Sequence, residues 1–160
     1  MQKTPVQFSL NGSDTAVFVD GGANLLDVLR RGVGDLTPKY GCGQGTCGSC
    51  TVLIDGEPHL SCLTLAETVE GRQVETVNGL SRGPDLAPLQ KAFMEGFAAQ
   101  CGYCTPGMLM AATALLRSNP APSREEIVEA ISGNICRCTG YEPIINAIES
   151  AAAAQRGRVA

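Results

Sequence analysis

The chain has 160 residues, of which 44% are hydrophobic and 18% are charged, and its formal net charge is −4 at pH 7. This length allows one ordinary core, or two small cores that are reinforced by metal. An acidic surface repels phosphate backbones, which argues against nucleic acid as a partner. The sequence contains no apolar run of roughly 18 residues, so no membrane span is expected.

The N-terminal half has the residue pattern of a small sheet around one helix. Apolar and polar residues alternate from Val6 to Leu10, and Asn11-Gly12 follows as a hairpin turn. Asn24 can cap a short helix with one apolar side. These features predict an α+β domain with a small mixed sheet. The predicted strands are residues 6–10, 17–19, 51–54, 60–63 (which carries Cys62) and 72–77.

After a linker at residues 79–88, which contains glycine and proline, the spacing of the hydrophobic residues becomes that of a helix. Leu86, Leu89, Phe93 and Phe97 are predicted to share one helical face. The further predicted helices are residues 105–117 with Thr105 as cap, 123–132 with Ser123 in a capping box, and 143–154. A compact bundle of four helices is therefore expected. The predicted organisation is a domain at 1–78, the linker, and a domain at 89–160.

Eight cysteines form two groups of four. The first group has the ligand spacing of plant-type ferredoxins and reads Cys42-x4-Cys47-x2-Cys50-x11-Cys62. The second group reads Cys101-x2-Cys104-x31-Cys136-x-Cys138. Four thiolates hold one [2Fe–2S] cluster, so the sequence predicts two clusters and a role in electron transfer.

Other chemistries remain possible for the cysteines. A disulfide framework, a zinc site or a Cys47/Cys50 dithiol are alternatives for the first group, but its many glycines suit a loop that wraps a cluster. The second group could hold zinc on spacing alone. Its two cysteine pairs precede predicted helices, whose N-termini are expected to lower the thiol pKa values. The N-terminus shows no export signal, which favours the cytoplasm and reduced thiols, with export on a partner's signal left open.

Three motifs carry a specific resemblance: Cys42-Gly43-x-Gly45-x-Cys47-Gly48-x-Cys50-Thr51, Gln100-Cys101-Gly102-Tyr103-Cys104-Thr105-Pro106-Gly107 and Gly133-Asn134-Ile135-Cys136-Arg137-Cys138-Thr139-Gly140-Tyr141. In this order they strongly resemble the small iron–sulfur subunit of the molybdenum hydroxylases, the family of xanthine dehydrogenase, aldehyde oxidoreductase and carbon monoxide dehydrogenase. The resemblance runs from about Val6 to Ala154. It implies an N-terminal β-grasp, ferredoxin-like domain and a C-terminal four-helix domain, each with one [2Fe–2S] cluster.

The resemblance also implies a role for each cysteine group. In such enzymes the cluster of the helical domain lies next to the molybdopterin. Gln100 then corresponds to a glutamine that hydrogen-bonds the pterin, and the Cys138 sulfur lies near the pterin amino group. The implied molybdenum-proximal ligands are Cys101, Cys104, Cys136 and Cys138, and the implied distal ligands are Cys42, Cys47, Cys50 and Cys62.

The implied enzyme has several subunits, and no residue of this chain is predicted to be catalytic. The partners are a large molybdopterin-binding subunit, with the cofactor in its cytosine dinucleotide form, and a medium FAD-binding subunit, in a dimer of heterotrimers. Electrons pass from the molybdopterin site through both clusters to FAD or another acceptor. The alternative is a free ferredoxin-type carrier, which has no need of the helical domain. The substrate, whether purine, N-heteroaromatic, aldehyde, carbon monoxide or aromatic CoA thioester, does not touch this subunit.

Overall fold

The computed structural model describes residues 3–81 and 83–156. Its N-terminal part is one five-stranded sheet, which consists of β1 (Lys3–Leu10), β2 (Ser13–Asp20), β3 (Thr51–Ile54), β4 (Glu57–Leu60) and β5 (Gln73–Glu75). The strands lie in the order β2-β1-β5-β3-β4, and β1 pairs with β5 in parallel while the other pairs are antiparallel. The predicted mixed sheet of a β-grasp domain is thus confirmed.

A short helix packs across this sheet. Asn24 caps α1 (Leu25–Asp27) by accepting a hydrogen bond of 2.8 Å from the Asp27 N–H. The chain continues as a π-helix, Val28–Val33, which ends where Gly34 adopts a φ of 84°. The buried side chains between helix and sheet form the first core, which includes Val6, Phe8, Leu25, Leu29, Val52, Ile54 and Val74.

The sheet differs from the prediction around Cys62. The expected strand at residues 60–63 is wrong, because β4 ends at Leu60 and a turn follows, closed by a bond of 2.9 Å from the Leu63 N–H to the Leu60 carbonyl. The Ser61 hydroxyl donates to the Cys50 carbonyl at 2.7 Å. This turn places Cys62 in contact with Cys50. The strand predicted at 72–77 is limited to β5, and a 3₁₀ turn, Val77–Gly79, follows it.

Four helices form the C-terminal part, as predicted: α2 (Pro88–Glu95), α3 (Thr105–Ser118), α4 (Arg124–Ile131) and α5 (Glu142–Arg156). Ser123 and Glu126 form the expected capping box of α4, with bonds of 3.2 and 2.6 Å. Apolar side chains from all four helices pack into a second core, which includes Leu89, Phe93, Met108, Ala112, Ile127, Ile144 and Ile148. In the described part of the chain, no helix is both long and apolar enough to cross a membrane.

Two expectations about the helices are wrong. Leu89 and Phe93 are buried in α2, but Leu86 and Phe97 are 46% and 82% exposed. The helical face is interrupted because α2 stops at Gly96 and Phe97 adopts a φ of 53°. Thr105 does not cap α3 either, since Cys104 takes the capping position and the buried Thr105 hydroxyl has no partner among the described residues.

Candidate functional site

The first cysteine group lies on a loop with unusual backbone angles. Cys42, Cys47 and Cys50 lie between the π-helix and β3, and Cys62 lies in the turn after β4. Within the loop, the φ values of Gly43, Gly45 and Gly48 are 66°, 80° and 68°. Only glycine adopts such angles without steric cost. The glycines therefore permit the curved path of the loop that carries Cys42, Cys47 and Cys50.

The thiols of this group meet in pairs. Cys42 contacts Cys47, and Cys50 contacts Cys62. The backbone N–H groups of Gln44 and Thr46 lie 3.5 and 3.4 Å from the Cys42 sulfur. A β-carbon at Gly41 would lie only 2.7 Å from the Cys47 sulfur, so the backbone wraps closely around these atoms.

The two pairs differ in their electrostatic environment. The Thr46 hydroxyl, followed by the Gln44 N–H, lowers the pKa of Cys42 to about 6. Burial raises the pKa of Cys50 to about 11. The Cys42 end of the group is therefore polar and partly exposed, whereas Cys50 is buried.

The second group is brought together by two loops of the helical part. Cys101 and Cys104 precede α3, and Cys136 and Cys138 lie between α4 and α5. The Cys101 and Cys138 sulfurs are 3.5 Å apart and exposed. Cys104 contacts Cys136, which is buried. The structure thus unites all four cysteines and leaves one pair at the surface.

The thiol pKa values correct one expectation. Burial raises the pKa of Cys104 to about 12, although this residue caps α3, so desolvation outweighs the predicted effect of the helix N-terminus. The Tyr103 N–H and then the Cys138 thiol lower the pKa of Cys101. The pKa of Cys138 is raised because its thiol donates to Cys101. Within the exposed pair, Cys101 is therefore the more acidic thiol.

The pairing of the sulfurs fits a particular cofactor. Across residues 3–81 and 83–156, no three His, Cys, Asp or Glu side chains converge as a single metal ion would require. The thiols instead meet two by two. A [2Fe–2S] cluster takes two thiolates on each of its irons, so pairs of sulfurs are the donor set that it needs.

The two cysteine loops are hydrogen-bonded to each other. The Asn134 amide donates to the Gly48 carbonyl, and the Ile135 N–H donates to the Cys47 carbonyl, both at 2.9 Å. The Tyr103 hydroxyl donates to the Tyr40 carbonyl at 2.6 Å. Because 86 residues separate Asn134 from Gly48, no local sequence pattern indicates this contact.

Comparison with known proteins defines the class. Residues 8–81 match the family described as "2Fe-2S iron-sulfur cluster binding domain". Residues 76–149 match the family described as "[2Fe-2S] binding domain". The chain is therefore an iron–sulfur protein with two different cluster-binding domains.

Relatives narrow the class further. The nicotine 6-hydroxylase small subunit of Paenarthrobacter nicotinovorans is 48% identical over 146 residues, which are 91% of this chain and 88% of that protein. The nicotinate dehydrogenase small FeS subunit of Eubacterium barkeri is 42% identical over 151 residues, 94% of this chain and 96% of that one. A crystal structure of quinoline 2-oxidoreductase from Pseudomonas putida 86 superposes with a TM-score of 0.94 at 50% identity and covers 98% of both chains.

The chain belongs to the family of iron–sulfur subunits of the molybdenum hydroxylases. Its function is electron transfer within a multi-subunit, molybdenum-dependent oxidoreductase, and the alternative of a free ferredoxin is not favoured. Iron–sulfur clusters of the [2Fe–2S] type are its cofactors. The predictions of family, fold and function from the three cysteine motifs are thus confirmed.

Proposed function

We propose that the helical part (residues 89–160) holds the cluster nearest to molybdenum, with Cys101, Cys104, Cys136 and Cys138 as its ligands. The sheet part (residues 1–78), joined through the linker at 79–88, holds the distal cluster on Cys42, Cys47, Cys50 and Cys62. Convergence of each group of thiols supports the two sets of ligands. When bound, the clusters supply one-electron redox chemistry.

The thiol contacts suggest how the irons are shared. Cys101 with Cys138 would hold one iron of the proximal cluster, and Cys104 with Cys136 would hold the other. Cys42 with Cys47, and Cys50 with Cys62, do the same for the distal cluster. The contacting pairs support this division, since two thiolates serve each iron.

The exposed pair faces the molybdenum-binding partner. Gln100 and Cys138 are both exposed, and Gln100 directly precedes Cys101. Gln100 hydrogen-bonds the pterin, and the Cys138 sulfur lies near the pterin amino group. Phe97, with 82% of its surface exposed, lies three residues before Gln100 and adds an apolar contact for the partner.

The enzyme around this chain has further parts. A large partner subunit binds molybdopterin, in its cytosine dinucleotide form, and a medium subunit binds FAD and receives electrons from the distal cluster. The complex is a dimer of heterotrimers and works in the cytoplasm, where reducing conditions keep thiols available as ligands.

One experiment tests the assignment of function. The chain is co-expressed with the products of its neighbouring genes, and the purified complex is analysed for iron, molybdenum and flavin. We expect about four irons for each copy of this chain. A complex well above about 100 kDa excludes a free carrier, because this chain has a mass of only 16.6 kDa. Zinc, or about two irons for each chain, would refute the two-cluster assignment.

A substrate panel completes the test. It begins with nicotine, nicotinate and quinoline, because the three relatives are named for these compounds. We expect substrate to bleach the visible absorbance of both clusters in the absence of an acceptor. If a substrate reduces molybdenum but bleaches neither cluster, this chain does not lie on the route of the electrons.

A further inference from the structure

Cys136 is the buried member of the second cysteine group, and a hydroxyl group lies against its sulfur. The distance between the Cys136 sulfur and the Thr139 Oγ1 is 3.1 Å. A hydroxyl has one hydrogen to donate and two lone pairs to accept, whereas a thiolate can only accept. Once Cys136 is a thiolate ligand, Thr139 is therefore the donor in this contact.

The orientation of this hydroxyl is fixed by Tyr141. The Tyr141 N–H donates to Thr139 Oγ1 at 3.1 Å, so it occupies one of the oxygen's lone pairs. Because the Tyr141 N–H contacts a lone pair of the oxygen, the hydroxyl hydrogen remains available to point at the Cys136 sulfur. The arrangement is a short relay from a backbone N–H through a hydroxyl to a ligand sulfur.

Tyr141 is itself held in a costly conformation. Its φ of 68° lies in the left-handed region, which is uncommon for a residue other than glycine. Two contacts retain it there: its phenol oxygen accepts the Cys136 N–H at 3.0 Å, and its carbonyl accepts the Ile145 N–H at 3.0 Å in the first turn of α5. The three residues Cys136, Thr139 and Tyr141 thus form a closed ring of hydrogen bonds.

We propose that Thr139 is a positioning residue that raises the reduction potential of the cluster in the helical part by donating a hydrogen bond to the Cys136 sulfur, and that Tyr141 presents it for this role. Addition of one electron increases the negative charge on the ligand sulfurs. A donor stabilises that more negative state more strongly than the oxidised one, which favours reduction. This inference rests on the proposed ligand role of Cys136.

The consequence for the enzyme concerns the order of the two clusters. A higher potential at the helical site makes it a better acceptor for electrons that leave molybdenum. If the potential of the helical-domain cluster rises above that of the distal cluster, the same hydrogen bond slows electron transfer from the first cluster to the second. Thr139 therefore affects how electrons are distributed between the two clusters.

The test compares Thr139→Val, Thr139→Ser and Thr113→Val in the full, cluster-loaded chain. Valine has nearly the shape of threonine but cannot donate, whereas serine retains the hydroxyl. Thr113 is the matched control, because its hydroxyl donates to the Leu109 carbonyl within α3 at 2.7 Å. The measurement is a redox titration followed by electron paramagnetic resonance, in which the distal cluster of the same sample is the internal reference.

We expect Thr139→Val to shift the reduction equilibrium of the helical-domain cluster about tenfold toward the oxidised form, which is about 59 mV for a one-electron couple. Thr139→Ser and Thr113→Val should leave the reduction potential of this cluster near the wild-type value. The potential of the distal cluster should not change in any variant. An unchanged potential in Thr139→Val, or an equal shift in Thr139→Ser, would overturn the proposal. Absence of a second cluster from the wild-type chain would instead refute the proposed ligand assignment.

Discussion

Substitution of Gly107 by alanine sets two physical effects against each other. Gly107 is buried in the first turn of α3, where alanine should favour the helix by about 1 kcal/mol. However, a β-carbon at this position would overlap the Gly48 carbonyl oxygen and lie 2.9 Å from the Asn134 amide nitrogen. The glycine is the point at which α3 contacts the loop of the first cysteine group.

The structure indicates which effect is larger. To restore van der Waals contact, α3 and the loop must separate by about 1 Å. The displaced Gly48 carbonyl accepts bonds from the Thr51 N–H at 3.0 Å, the Thr51 hydroxyl at 2.6 Å and Asn134 at 2.9 Å. Overpacking and weakened buried hydrogen bonds together cost about 3 kcal/mol, so the net loss after the helix gain is about 2 kcal/mol.

Thermal melts of the cluster-loaded chain at one scan rate test this value. A loss of about 2 kcal/mol corresponds to a decrease in Tm of about 4–8 °C for a chain of this size. Gly133→Ala is the matched control, because a β-carbon there meets no atom within 4 Å, and its Tm should change by less than about 1 °C. If Gly107→Ala melts at or above the wild-type temperature, close approach to the loop does not explain this glycine.

Three further predictions concern the site and its supports. Asn134→Ala removes one of three donors to the Gly48 carbonyl. We expect the free energy of unfolding to fall by about 1–2 kcal/mol and a chelator to bleach the distal cluster faster. Unchanged bleaching would contradict the role of this contact. The Arg117 hydrogen bond holds the pKa of Glu75 below its ordinary 4.5, so the pair stabilises the fold above pH 4.5 and loses this effect as pH falls through the lowered pKa. Glu75→Gln should therefore be less stable than wild type by about 0.5 kcal/mol at neutral pH but nearly equal in acid, and an equal difference at both pH values would refute this. Cys138→Ser should lower the iron content from about four to about two while the distal cluster signal persists, and loss of both signals would argue against separate sites.

Local signals in the sequence predicted much of the fold. The capping box at Ser123 and the hairpin turn at Asn11-Gly12 depend only on neighbouring residues, and the structure contains both. The spacing of the cysteines is also a local signal, and it predicted the two cluster-binding motifs. These features are predictable because the chemistry that selects each residue acts within a few positions of it.

Other features depend on contacts that no local pattern encodes. Leu86 and Phe97 continue the helical period of Leu89 and Phe93, but α2 ends before Phe97, so the period extends beyond the helix. The Thr105 hydroxyl is buried against the fold and does not serve as a cap. The bond between Asn134 and Gly48 connects two domains, so only the assembled structure shows it.

The bonds that Asn134 and Ile135 make to the carbonyls of Gly48 and Cys47 have a mechanical consequence. Bending between the two halves at this point would have to break these hydrogen bonds, which connect the helical part to the loop that carries three cysteines of the first group. These hydrogen bonds therefore hold the two cysteine loops side by side. Electron transfer between clusters on these two loops therefore requires no domain movement, and we expect its rate to depend on the distance between the clusters and on their reduction potentials.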